Sequence, residues 1–363
     1  MRKKRRASGI LAALGIIIAY FILFPHPLQR EVVARPRWVA PLPPPESLPA
    51  GGISRAPSGE GAASPFQLGE LFGYVDGSGR LVHVEKMLFR VALGSAGFVN
   101  FTRVGADWVL RDPAGERLFS FAGRGYPLLS ADGERVFIVK TDLTGLQEVD
   151  RSGETLWRRD FPSMLTSLSV AGDRVLAGLL NGSVELVNRA GDAVFSAAPA
   201  GSRLPVVLGA AAAPDGERVA CVSGIDPQRL TVYGRKGTVY AELFRATLGS
   251  EFRRELRLSF SPDSRWLVVE GEGEVGMADP ASGDLAWTSL GGTMAGAVFL
   301  GAQRAAAFLA RGESGWGLVI ASPLSAALLR GSFRADEASL GTVEDSILLG
   351  IDRRLLRIDV EAL

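Results

Sequence analysis

Few residues in this chain have the types and spacing that chemistry needs. Its 363 residues include two histidines, His26 and His83, and one cysteine, Cys221. A nucleophilic relay needs a histidine beside its nucleophile, and a zinc site needs several His or Cys ligands at short spacing. His26 stands in a proline-rich stretch. His83 follows Gly79 by four residues, where sister segments carry Phe or Trp, so it reads as a replaced packing aromatic. Cys221, in RVACVSG, alternates as a buried strand residue and reads as an inert thiol. Being single, it gives no intrachain disulfide and no cysteine metal cluster. Lying far from the N-terminus, it is not the lipidated cysteine of a bacterial lipoprotein.

GEGEVG, with Gly271, Gly273 and Gly276, fits the dinucleotide pattern and follows the strand-like RWLVVE. A helix should then receive the pyrophosphate at its N-terminus. MADPASG turns at once instead, and Glu272 and Glu274 repel phosphate, so the motif reads as a hairpin turn. Asn100-Phe101-Thr102 and Asn181-Gly182-Ser183 match the glycosylation sequon, and the second is also a good hairpin turn. A glycosidase needs only two carboxylates, but most Asp residues here occupy recurring turns, where the side chain caps the local backbone. No catalytic, cofactor-binding or metal residue is assigned, and no cofactor is expected.

Lys and Arg number 40 against 39 Asp and Glu, a net charge of +1, without the basic patch that nucleic acid requires. The one dense cationic run, residues 2–6, precedes ASGILAALGIIIAYFILF, an uncharged stretch from Ala7 to Phe24. A run of this length is long enough to cross a bilayer, and flanking Lys/Arg favour the cytoplasmic side. The expectation is a single-pass inner-membrane signal anchor over 7–24, with residues 1–6 inside and the remainder outside the cytoplasm (periplasmic). A cleaved signal peptide is the competing reading; the length of the apolar run and the lack of a nearby small-x-small site favour the anchor. Six residues before the span leave no room for a cytoplasmic output domain. From Pro25 to Pro65, ten of 41 residues are proline. This segment, 25–65, reads as a disordered, semi-extended linker able to hold a domain on the order of 100 Å from the membrane.

Beyond it the sequence repeats. Thr166 to Ala197 contains four short apolar runs separated by AGD, Asn181-Gly182 and NRAG, the turn chemistry of a four-stranded antiparallel sheet. Asp or Asn followed by Gly recurs in VDGSG at Asp76, RDPAG at Asp112, VDRSG at Asp150, VNRAG at Asn188 and ADPASG at Asp279. A second series includes SADGERVFIV, VAGDRVLAG, APDGERVACV and SPDSRWLVV. Its Asp132, Asp173, Asp215 and Asp263 lie 41 to 48 positions apart, the spacing of propeller blades. An aromatic stands four residues after the loop glycine at Phe119, Trp157, Phe195 and Trp287. ADPASGDLAW and VDRSGETLW resemble the quinoprotein (PQQ-like) repeat, and SPDSRWLVV resembles the WD-repeat (WD40-like) hairpin. The resemblance implies a β-propeller. It also suggests a quinone, but the calcium site and adjacent-cysteine disulfide of the quinone enzymes cannot be placed here.

The 298 residues 66–363, divided by a period near 42, predict seven four-stranded blades. The last unit stops after its third strand, so the segment beginning at FQLGELFGYVD is expected to complete it. The functional expectation is a monomeric, membrane-anchored scaffold that binds protein partners in the cell envelope. A narrower version, by analogy with membrane-tethered quinoprotein-like propellers, is outer-membrane protein assembly. The alternatives are a carbohydrate-active enzyme with paired carboxylates in the central channel, and a ligand sensor that signals through a membrane partner.

Overall fold

Short β-rich runs joined by Asp-, Asn- and Gly-bearing turns pair with their chain neighbours before anything distant, and the resulting sheets are local. A computed structural model describes residues 32–55, 62–301, 305–323 and 327–362. It contains eight four-stranded antiparallel sheets. The segment Thr166–Ala197 is one of them, built from Leu165–Ala171, Arg174–Leu179, Val184–Val187 and Ala193–Ala197. Each sheet is a blade, numbered 1 to 8 from the one containing Ser64–Leu68. The apolar core lies between blade faces. Leu176 and Leu186 of blade 4, for example, pack with Val207, Val219 and Cys221 of blade 5.

The expectation of seven blades is therefore corrected to eight. Blades 1 and 8 both draw their outermost strand from the N-terminal side. Val32–Pro41 pairs with Arg354–Ala362 and completes blade 8. Ile53–Ser54 pairs with Leu81–Lys86 and completes blade 1. The segment from Phe66, expected to close the ring, forms inner strands of blade 1 instead. Both closing strands fall inside the span read as a disordered linker. Proline misleads there, because it cannot serve a central strand but is tolerated at an edge, where one side of the backbone is unpaired. Val32–Pro41 is such an edge, with Pro36 inside it and a register shift between Pro36 and Trp38. Blade spacing misleads too. Successive inner strands begin 35 residues apart from Arg90 to Gly125, and 54 apart from Leu204 to Leu258.

The turns divide between two faces. In blades 2 to 7 the first-to-second and third-to-fourth strand turns share one face, here called the turn face. The second-to-third turns and the blade-to-blade connections lie on the opposite face. Asp and Asn recur on the turn face because their carboxylate or amide oxygens cap exposed backbone amides. Asp150 Oδ1 accepts from Ser152 N at 2.8 Å and Glu154 N at 3.0 Å. Asn188 Oδ1 accepts from Ala190 N and Asp192 N, both at 2.9 Å. GEGEVG is a hairpin turn on the opposite face, with Gly271 N donating to Glu274 O at 2.9 Å. The segment 7–24 lies outside the described residues; among those described, no helix is long and apolar enough to cross a membrane.

Candidate functional site

The first-to-second strand turns bond from blade to blade. Ala96 N donates to Asp132 O at 3.0 Å, Arg135 Nη1 to Gly172 O at 3.0 Å, and Arg218 Nη1 to Ser264 O at 3.1 Å. Arg135 and Arg218 end the two copies of Asp-Gly-Glu-Arg. The repetition of that arginine was the signal for its role, and an inventory of Asp–Gly spacing passes over it.

Arg135 also anchors a buried polar cluster in blade 3. Its Nε and Nη2 donate to the two oxygens of Glu148 at 2.8 and 2.7 Å. Trp157 Nε1 donates to Glu148 Oε2 at 2.7 Å. The guanidinium stands 4.9 Å from the centre of the Phe137 ring. A buried carboxylate is tolerable only when its lone pairs are met this fully.

Above this cluster a cavity of about 530 Å³ opens on the turn face between blades 2 and 3, with Arg189 of blade 4 at its border. Leu110, Leu118 and Leu156 form its apolar wall, and Glu134, Asp150 and Arg151 its polar rim. Leu118 and Leu156 are 52% and 57% exposed. They occupy the same repeat position, directly before the aromatics Phe119 and Trp157. Along a strand, side chains alternate, so an inward aromatic turns the preceding residue to solvent. Val194, before Phe195, continues the pattern in blade 4 and is also exposed.

The cavity's carboxylates are engaged. Glu148 is held by Arg135 and Trp157, and Glu134 pairs with Arg151 at 2.7 Å. The hydroxyl of Ser152, then the amide of Glu154, hold the Asp150 carboxyl below its ordinary value. A general acid must carry a proton near neutral pH, and Asp150 is held away from that state. The eight innermost strands, from Ser64–Leu68 to Ala338–Val343, contain no Asp or Glu. Paired carboxylates projecting from channel-lining strands are thus not available to the carbohydrate-active alternative. Among the described residues, no group of three or more His, Cys, Asp or Glu side chains is placed to hold a metal ion.

Residues singled out by type have local partners. His83 is buried, stacks on Phe98 at 5.0 Å between ring centres, and bonds through Nδ1 to Ser54 Oγ at 2.8 Å. It packs as an aromatic, with polar ties that its repeat position does not reveal. Asn100 accepts from Leu88 N at 2.9 Å and donates to Glu85 at 2.8 Å. Asn181 caps Ser183 N at 3.1 Å. Burial raises the Cys221 thiol to about 12.

A family described as "beta-propeller protein" matches residues 1–363. The chain belongs to this β-propeller family. It is similar to an uncharacterised protein of Treponema pallidum (strain Nichols), with 24% identity over 279 residues, 76% of this chain and 74% of that one. Among solved structures, BamB from Moraxella catarrhalis superposes with a TM-score of 0.60 at 13% identity, covering 90% of this chain and all of that one. The computationally designed Ika8 protein gives a TM-score of 0.59 at 15% identity, over 82% of this chain and 97% of that one. At these identities the structural likeness is one of fold.

Proposed function

We propose that this propeller is a protein-interaction scaffold, anchored in the inner membrane through 7–24 and displayed in the periplasm, where it takes part in envelope protein assembly. The observation that carries the binding part is the turn-face cavity. It combines a broad apolar wall at Leu110, Leu118 and Leu156 with a rim whose charges already have partners. Apolar anchors surrounded by satisfied polar groups suit recognition of another protein's side chains. The anchor is proposed from the apolar run and its basic flank. The assembly role is proposed by analogy with membrane-tethered quinoprotein-like propellers, whose repeat ADPASGDLAW and VDRSGETLW resemble.

The test is affinity purification of the full chain from solubilised membranes, beside a Leu118→Asp/Leu156→Asp variant. Envelope proteins that co-purify with the parent and are lost with the variant support the reading. Recovery of the parent alone under several mild detergents refutes it.

A further inference from the structure

Blade 2 leaves its middle pairing largely unmade. Its second and third strands, Phe98–Phe101 and Asp107–Arg111, pair only at Phe98–Arg111. The corresponding strands of blades 3 and 4 pair at four positions each. Main-chain direction shows what the opening presents. Phe101 O accepts from Phe89 N on the first-strand side, and Ala106 O accepts from Gly123 N on the fourth-strand side. Alternation along each strand then turns the N–H and C=O of Asn100 toward the third strand, and those of Asp107 and Val109 toward the second. These groups face one another where the ladder has ended.

A cavity of about 250 Å³ lies at this opening, reaching the opposite face between blades 1 and 2, with Leu88, Asn100, Phe101, Asp107 and Val109 in its lining. It falls below the roughly 300–1,000 Å³ of pockets for small molecules. Its floor is fixed by Asn100, which accepts from Leu88 N at 2.9 Å and donates to Lys86 O at 2.9 Å and Glu85 Oε1 at 2.8 Å. The surroundings are apolar and cationic. Leu88 is 64% exposed, and Val104, in the turn joining the two strands, is 91% exposed. The Phe89 ring meets Phe101 edge-on and has the guanidiniums of Arg90 and Arg103 at 5.4 and 5.8 Å from its centre. Both arginines are exposed, and neither is ion-paired with a described carboxylate. Of the two lining carboxylates, Glu85 is bonded to Asn100 and His83, which leaves Asp107 alone against the two cations.

Main-chain donors and acceptors at strand spacing are matched by an extended polypeptide, which carries both kinds of group. Guanidiniums without a carboxylate partner favour an acidic one. We propose that this cleft docks an extended, acidic segment of a partner protein. The segment's main chain bonds Asn100 and Val109, an apolar side chain packs on Leu88 and Val104, and its carboxylates meet Arg90 and Arg103. The site is separate from the turn-face cavity and rests on neither that cavity nor the anchor.

The test pans a phage-displayed library of random dodecapeptides against the full chain in detergent and measures the enriched peptides by fluorescence anisotropy. Enrichment of segments with Asp or Glu beside apolar residues is expected. Their affinity should fall at least about tenfold in Arg90→Gln/Arg103→Gln, which removes both charges. No enrichment, enrichment of segments without acids, or undiminished affinity in that variant overturns the proposal. Hydrogen exchange of the parent chain places the peptide without recourse to a variant. Slowed exchange at Asn100 and Val109 on adding an enriched peptide is expected, whereas protection confined to the turn-face cavity or to another blade overturns the assignment.

Discussion

Glu148→Ala removes the acceptor of three hydrogen bonds at once. Arg135 would lose its contacts at 2.8 and 2.7 Å, and the Trp157 indole its partner at 2.7 Å. The Arg135 side chain is 4% exposed, so water does not replace the carboxylate. Its remaining ties, to Gly172 O and the Phe137 ring, do not neutralise the charge. Stranding one member of a buried ion pair costs about 3–5 kcal/mol. For a chain of this size that corresponds to a fall in Tm on the order of 5–10 °C. The assay is thermal unfolding of the purified full chain in detergent, followed by near-ultraviolet circular dichroism. Replacing both partners, Arg135→Met with Glu148→Leu, removes the stranded charge and leaves mainly the indole unpaired, at about 1–3 kcal/mol. The double variant should therefore be the more stable of the two. A Glu148→Ala cost below about 1 kcal/mol, or a double variant less stable than the single, would refute this account of the cluster.

Three further outcomes are expected. Gly191 has φ +88°, and a Cβ there would stand 2.8 Å from Trp157 Cγ; Gly237 also has positive φ but open space around it, so Gly237→Ser should cost only the backbone strain of about 1–2 kcal/mol in denaturant melts, and Gly191→Ala, which adds the clash with Trp157, should cost more. Burial pushes the Asp359 carboxyl up, but hydrogen bonds from Ser346, Arg37 and Arg357 outweigh this and bring it down to about 2. Because the folded value lies below the unfolded one of about 3.9, the contribution is full above that value and is lost as the pH falls toward 2; Tm should drop across that window more steeply in the parent than in Asp359→Asn. Cys221 should resist a thiol reagent at neutral pH in the folded protein and react on unfolding, since its thiol is buried and raised to about 12.

The blades were legible because each is local. Asp112, Asp150, Asn188 and Asp279 mark turns that the backbone must cap, and the caps form within four residues. GEGEVG was legible as a turn for the same reason. The ring's closure was not, because it depends on a pairing between Val32 and Ala362, at opposite ends of the described chain, and on prolines that an edge strand accepts. The blade count failed with it, since two outer strands were assigned to a linker. The cavity was illegible for a different reason. Leu110, Leu118 and Leu156 are ordinary strand apolars in the sequence, and only the stacking of blades 2 and 3 brings them to one wall. In Arg135 and Arg218, by contrast, the information was present in the repeated Asp-Gly-Glu-Arg and needed only the recognition that a repeated charge beside a turn has a repeated partner.

Pairing of Val32–Pro41 with Arg354–Ala362 completes the eighth blade and closes the ring. Hydrogen exchange of that segment in the full chain is its most direct test. An edge strand in an antiparallel sheet directs alternate amides to its partner and the others to solvent. Alternate amides of Val32–Ala40 should therefore be protected to a degree comparable with Arg354–Ala362, against which they pair. Uniform exchange across 32–40 at the rate of an unstructured peptide, with Arg354–Ala362 exposed as a free edge, would contradict the account.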